Sequence, residues 1–310
     1  MNMDQNKKEE MIRWIKFSRI KGIGSSKMLK LLGLFRTFDN IYFASPEDLY
    51  KTRIFNEQML EQFKRIKLNE DYYSSFIINI CEKEDIDIIP FYSDKYPLKL
   101  KNLPDAPLTL YTIGNQELLK TKNVAIVGSR KSDERAKKWA YDISSDLVRN
   151  NIVIISGGAK GIDYEAHRSA LELNAKTICV PGSGLIRTYP AEHRDIFERI
   201  KKEGLLISEN PPDKQVDQLA LVRRNRIISG LSSSLILVTS SSKGGSKMQL
   251  KIAHNQRIPL FCPSLSLGFL PNEGIIEAVK EYSAKEIINI NPVLEEINKE
   301  ELFFSKQKTL

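Results

Sequence analysis

The sequence predicts an α/β protein: a doubly wound, mostly parallel sheet preceded by a smaller all-helical domain. Three features lead there. Up to about residue 80 the apolar spacing is helical, whereas beyond Lys122 short β-branched runs alternate with amphipathic stretches. The ends of those runs are repeatedly followed by glycine, serine and a basic residue. Six apolar runs separated by helical segments are the pattern of a parallel sheet covered by helices on both faces.

Residues 11 to 62 read as helices. Ile12, Ile15, Phe17 and Ile20 precede a break at Lys21-Gly22-Ile23-Gly24, after which Met28, Leu31, Leu32, Leu34 and Phe35 resume the spacing. Two glycines around an isoleucine make a tight turn and leave N–H groups at the start of the second helix, as in a helix-hairpin-helix. Such a hairpin grips a phosphate backbone without reading bases. The same string also serves as a plain turn in a helical packing domain, and both uses stay open. Ser45-Pro46-Glu47-Asp48 reads as an N-cap, a first-turn proline and early acids. From Glu84 to Gly114, prolines such as Pro97, Pro104 and Pro107 interrupt any helix, leaving a connector with one or two short strands.

The second half then runs strand Val124 to Val127, helix about 133 to 149, strand Ile152 to Ile155, helix about 162 to 173, and strand Thr177 to Val180. It continues with a helix at about 192 to 203, strand Leu205 to Ser208, a helix carrying Arg224 to Ile228, strand Leu235 to Val238, a helix at about 246 to 256, and strand Ile258 to Phe261. The expected organisation is an N-terminal helical domain over 1–80, a connector over 81–120, the α/β domain over 121–285, and a charged, partly helical or frayed tail over 286–310.

Composition narrows the class. Among 310 residues, 47 Lys+Arg against 39 Asp+Glu give a net charge of +8, compatible with nucleic acid or phosphate-bearing partners. At 41% hydrophobic the chain has a core to bury, which excludes a disordered or fibrous protein. No apolar run approaches the roughly 20 residues of a membrane span. The start of the chain has no apolar signal segment, and its three cysteines, Cys81, Cys179 and Cys262, are widely spaced. The expectation is a cytoplasmic protein with no membrane span, disulfide framework or metal site.

In an open α/β sheet, ligands bind beyond the carboxyl ends of the strands. There the sequence places Gly128-Ser129-Arg130, then Ser156-Gly157-Gly158-Ala159-Lys160-Gly161, then Pro181-Gly182-Ser183-Gly184, and Thr239 to Ser246 with Lys243. One glycine turn has a purely conformational use, but four such loops on one rim, three with a cation, suit phosphate groups. No Walker A box occurs, and GSRKSDE lacks the later glycines of a dinucleotide fingerprint. Arg223, Arg224, Asn225 and Arg226 set three guanidinium groups within four residues, suited to phosphate oxygens; a solvated basic helix face is the bland alternative. Catalytic signals are thin. His167 near Asp163 reads as a structural histidine beside a cap rather than as a base, and His193 and His254 as surface positions. Neither a catalytic residue nor a cofactor is expected.

The strings VAIVGSR, ISGGAKGIDYEAHRSAL, PGSGLIRTYPAEHRDIFERI, GLLISENPP, RRNRIISGLS and SKGGS together resemble the DNA-processing DprA (Smf) family over roughly residues 15 to 280. The resemblance implies a Rossmann-like domain that binds single-stranded DNA in a basic pocket. It further implies homodimerisation through that domain, protection of incoming strands and their delivery to the RecA recombinase, classically in natural transformation. By the same carry-over Ser129, Arg130, Ser156, Gly157, Gly158, Lys160, Gly161, Gly184, Arg223, Arg224, Asn225, Arg226, Lys243 and Ser246 hold the strand. Binding would be largely sequence-independent and salt-sensitive.

Departures from the family pattern are visible. Leu221-Val222 stands where members usually have Phe-Pro, removing an aromatic able to stack on a base; Thr239 replaces a common glutamate; and SKGGSKMQ replaces a more usual SGSLITA. The residues after 285 are too few for the winged helix of many members. The competing reading is a nucleotide-binding sensor, or a nucleoside-monophosphate phosphoribohydrolase-like enzyme, in the same pocket. It lacks a PGGxGT-type loop with a nearby glutamate.

Overall fold

The computed structural model describes residues 4–69, 71–241 and 244–307, with side chains as far as Lys299. The chain packs as two compact units, one of residues 1–112 with 209–213, the other of residues 113–208 with 214–310.

The first unit opens with six helices: α1 (Gln5–Ser18), α2 (Ser25–Phe35), α3 (Phe38–Phe43), α4 (Pro46–Lys51), α5 (Glu57–Leu68) and α6 (Tyr72–Lys83). Each start is written in the sequence. Asp4, Thr37, Ser45, Asn56 and Asp71 accept a backbone N–H of the first turn of α1, α3, α4, α5 and α6, and Pro46 opens α4. α2 starts instead at Gly24, after Gly22 takes φ +94° to close the turn. Strand β1 (Asp87–Pro90) pairs antiparallel with β2 (Thr109–Gly114), and the single turn α7 (Leu98–Lys101) lies between them. The core of this unit is aromatic: Trp14 lies edge-on to Phe38 and Tyr92, and its indole N–H donates to Thr109 Oγ1 at 2.9 Å.

The second unit carries β3 (Asn123–Val127), α8 (Glu134–Arg149), β4 (Val153–Ser156), α9 (Ile162–Glu172), β5 (Thr177–Cys179), α10 (Arg194–Glu203) and β6 (Leu205–Ser208). There follow α11 (Gln218–Arg223), α12 (Asn225–Leu231), β7 (Ser234–Leu237), α13 (Gly245–Asn255), β8 (Leu260–Pro263), α14 (Glu273–Tyr282), β9 (Lys285–Ile287) and α15 (Asn291–Gln307). Strands lie in the order β6-β5-β4-β3-β7-β8-β9. Each neighbouring pair in that order is parallel. Every residue of β3, β6, β7 and β8 is buried, as a sheet sandwiched between helix layers requires. Strand order reverses beside β3: the chain moves outward through β4, β5 and β6, then returns to β7 on the other side. The switch point therefore lies between the carboxyl ends of β3 and β7.

Two expectations change. The strand expected at Ile258 to Phe261 begins at Leu260, because Pro259 precedes it and offers no N–H to a ladder. Residues 286–297, expected as part of a charged, partly helical or frayed tail, contribute side chains to the core. β9 pairs with β8, and Ile290, Val293 and Ile297 pack with Val124, Ile126, Ile236 and Phe261. Apolar residues at 290, 293 and 297 form a helical stripe that the surrounding charges disguise.

Candidate nucleic-acid interface

An open cleft of about 1200 Å³ lies at the switch point. The loop after β3, the loop after β7, the start of α13, and α11 and α12 line it. Parallel strands end together, and the two neighbouring loops diverge to opposite faces of the sheet, so a cleft opens between them.

The loop after β3 is tied down by its own polar atoms. Ser129 N–H donates to Thr239 O at 3.0 Å, and Ser132 Oγ lies 2.6 Å from Thr239 Oγ1 and donates to Ser129 O. Lys131 N–H donates to Ser129 Oγ. Thr239, fully buried, thereby joins the end of β7 to the loop that displays Arg130 and Lys131, both exposed in the cleft wall. Asp133 caps α8 through Ala136 N–H and accepts Leu270 N–H at 2.6 Å. Burial would raise its pKa, but the N–H donors of Ala136, Leu270 and Arg135 outweigh that and hold it below the usual carboxylate range.

The glycine loop after β4 has an interior role. Arg224 is buried, its Nη1 donates to Val180 O at 2.8 Å, and its Nη2 lies 3.8 Å from Asp163 Oδ2. Asp163 also accepts the N–H groups of Gly157 and Ala159. Burial pushes its carboxyl above the ordinary range, and Arg224 with these donors only partly offsets that. A Cβ at Gly157 would stand 1.3 Å from Arg224 Nη1, so glycine is required there for the guanidinium to lie across the loop. Gly161, at φ +78°, brings the loop against Ser129 O, 2.6 Å from where a Cβ would be.

Of the residues singled out from sequence, Ser129, Arg130, Arg224, Asn225 and Ser246 line the cleft. The other described ones do not line it. Ser156 donates to Ile126 O inside the sheet, Gly157 and Gly158 are buried, and Gly184 N–H donates to Lys214 O. Lys160 is exposed and pairs with Glu192 at 2.6 Å, a surface pair worth about 0–1 kcal/mol. Arg223 is exposed, and its carbonyl accepts Arg226 Nη1. Ser246 Oγ donates to Ser240 Oγ. Lys243 lies outside the described residues. Among the three arginines, then, Arg224 is turned inward, because one face of α12 must be buried against the sheet.

The histidines separate similarly. His167 Nδ1 lies 2.8 Å from Thr177 Oγ1, and burial, then the charge of Arg224, pushes its pKa down to about 3. His193, expected at the surface, is buried: its Nδ1 lies 3.2 Å from Gly158 O and its ring against Tyr164. All three cysteines are buried and free, and the described residues contain no His, Cys, Asp and Glu cluster suited to a metal. No described helix is long and apolar enough to cross a membrane. Sequence reading missed Lys131, Ser132, Asp133, Gln249 and Leu270 in the cleft. Lys131 adjoins GSR and was findable, whereas Leu270 arrives by tertiary folding alone. Leu221, which stands in place of an aromatic, packs onto Gly182, where an added Cβ would meet its Cδ2 at 2.7 Å.

A family model described as DNA recombination-mediator protein A matches residues 87–298. Protein Smf of Synechocystis sp. is 32% identical over 289 residues, covering 92% of this chain and 72% of that protein. The DNA processing protein DprA of Streptococcus pneumoniae is 34% identical over 203 residues, or 66% of this chain and 71% of that one. The X-ray structure of S. pneumoniae DprA is similar at a TM-score of 0.77 and 28% identity, covering 91% of this chain and 97% of that chain. DNA processing protein A of Helicobacter pylori, solved for its single-stranded DNA binding mode, has a TM-score of 0.62 at 28% identity. That match covers 69% of this chain and 96% of the other.

Proposed function

The chain belongs to the DNA recombination-mediator protein A family, and on that premise we propose that it binds single-stranded DNA at the switch-point cleft of the 121–285 domain, without turning it over. The observation that carries this reading is one wall of the cleft. Arg130 and Lys131 stand exposed on a loop stapled by Thr239, with the first turn of α13 lining the same cleft. Cations and helix-start N–H groups side by side suit a phosphodiester backbone, which any sequence offers. The H. pylori neighbour's single-strand binding supports the same ligand. Arg223, Arg226 and Lys160 add positive charge to the same domain, and the family resemblance adds Lys243, which lies outside the described residues.

The chemistry of the candidate acid and base supports binding without catalysis. His167 stays neutral above about pH 3 with one nitrogen at Thr177, and Asp163 accepts two backbone N–H groups. The fuller role is a cytoplasmic homodimer that shields incoming strands and loads RecA onto them.

Fluorescence anisotropy with labelled single- and double-stranded oligonucleotides at two salt concentrations tests the core of this. The single strand binds more tightly, and Arg130→Ala with Lys131→Ala weakens it about tenfold or more at low salt. The same pair lowers the slope of log affinity against log salt by about 1.4, at about 0.7 per lost phosphate contact. Absence of single-strand binding at low salt sinks the reading and directs the search to mononucleotides.

A further inference from the structure

Lys160 directly follows Ala159, which lines the cleft, yet Lys160 itself does not line it. The glycine loop carrying both runs along the Arg130 loop: a Cβ at Gly161 would stand 2.6 Å from Ser129 O and 3.1 Å from Arg130 O. The ammonium is taken instead by Glu192, whose Oε1 lies 2.6 Å from Lys160 Nζ, with the two side chains 55% and 52% exposed. Glu192 is not a loosely held acid. It sits in the short helical turn Ala191–His193, and its neighbour His193 is buried, with Nδ1 3.2 Å from Gly158 O and its ring against Tyr164. The turn is thus fastened to the glycine loop beside Glu192, so the carboxylate reaches Lys160 at little further cost in chain entropy.

We infer that Glu192 sets the affinity for the strand: it competes with the strand's phosphates for Lys160, and binding exchanges this carboxylate for a phosphate. The inference rests on the single-strand reading above and deepens it. A cation already paired offers a phosphate less than a free one, because the resident anion must leave first. Once Glu192 is displaced, the flexible four-carbon stem of Lys160 is free to turn towards the cleft beside Arg130. Exposure sets the size of the effect. An ion pair half open to water holds weakly and is screened by salt, so Glu192 tempers the attraction for a polyanion without abolishing it.

A double-mutant cycle decides the matter, with the full chain, Glu192→Gln, Lys160→Ala and the double variant each titrated against a labelled dT oligonucleotide. At low salt Glu192→Gln binds about two- to fivefold more tightly than the unaltered chain, the range an exposed ion pair allows. In the Lys160→Ala background the same exchange brings no gain, and at high salt the gain closes in the unaltered background too. Should Glu192→Gln fail to fold by circular dichroism, Glu192→Ala carries the same comparison. A gain of similar size with and without Lys160 makes Glu192 merely one more negative charge on the protein and overturns the inference. Unchanged or weaker binding by Glu192→Gln overturns it as well, as does a gain that high salt leaves intact. Absence of single-strand binding by the unaltered chain at low salt overturns the single-strand reading itself, so the two failures are told apart.

Discussion

Gly157 and Arg224 are sixty-seven positions apart in the chain, yet they are one structural unit. With a Cβ 1.3 Å from Nη1, Gly157→Ala forces Arg224 off Val180 O and away from Asp163, leaving a buried carboxylate without its cation. Breaking a buried pair typically costs about 3–5 kcal/mol, and urea unfolding of Gly157→Ala should show a loss of that order. A loss below about 1 kcal/mol means that the loop yields and Arg224 stays. His167 makes a pH-dependent contribution. Its folded pKa of about 3 lies below the ordinary 6.5, so the unfolded chain takes up a proton that the folded chain refuses. That stabilisation is complete above pH 6.5 and is lost as pH falls towards 3, at about 1.4 kcal/mol per pH unit. Urea midpoints at pH 7 and about pH 5 should diverge for the unaltered chain and less so for His167→Gln; equal divergence excludes the buried imidazole as the cause.

Among elements, α8 shows how a local rule acquires a longer reach. Asp133 is the N-cap of α8, an exchange that costs about 1 kcal/mol on mutation to Ala. The structure adds Leu270 N–H on its second oxygen at 2.6 Å, so Asp133→Ala also frees a donor in the cleft wall. The expected loss is therefore about 2 kcal/mol, twice a plain cap, with single-strand affinity reduced; thermal unfolding and anisotropy together check it. Helices and strands in the second half were legible because a parallel sheet needs apolar runs at one period and its crossovers need another. β9 was not legible. Lys285 and Glu286 are exposed on an edge strand, so the three-residue run carries almost no apolar signal. α15 was hidden by its charges, although Val293 and Ile297 are core residues.

For the whole molecule, the two compact units have separate cores, an aromatic one around Trp14 and an aliphatic one around the sheet. The chain has two tryptophans, Trp14 in the first unit and Trp139 on α8 in the second. Trp14→Phe and Trp139→Phe thus give fluorescence reporters of one unit each, and different urea midpoints are expected from the two chains. Coincident midpoints and slopes mean that the units unfold together. The net charge of +8 acts at this scale too, as long-range attraction for any polyanion that salt screens.

The α/β class, the helical first unit, and the placing of Ser129 and Arg130 after a strand end were determined by the sequence alone. Periodicity, caps and strand-end glycines are local, and the switch-point rule carries them as far as a rim. Only the tertiary structure decided which rim residues face the cleft. Arg224 turns inward and Arg223 outward because one face of α12 packs on the sheet, and Ser156 is consumed by Ile126 O. Thr239, an anomaly when read along the chain, is the hydroxyl that fastens the Arg130 loop. Lys160, a cation of the glycine loop, is held by Glu192 from a separate turn. Such facts depend on which distant groups share a hydrogen bond, and residue spacing along a chain does not encode that.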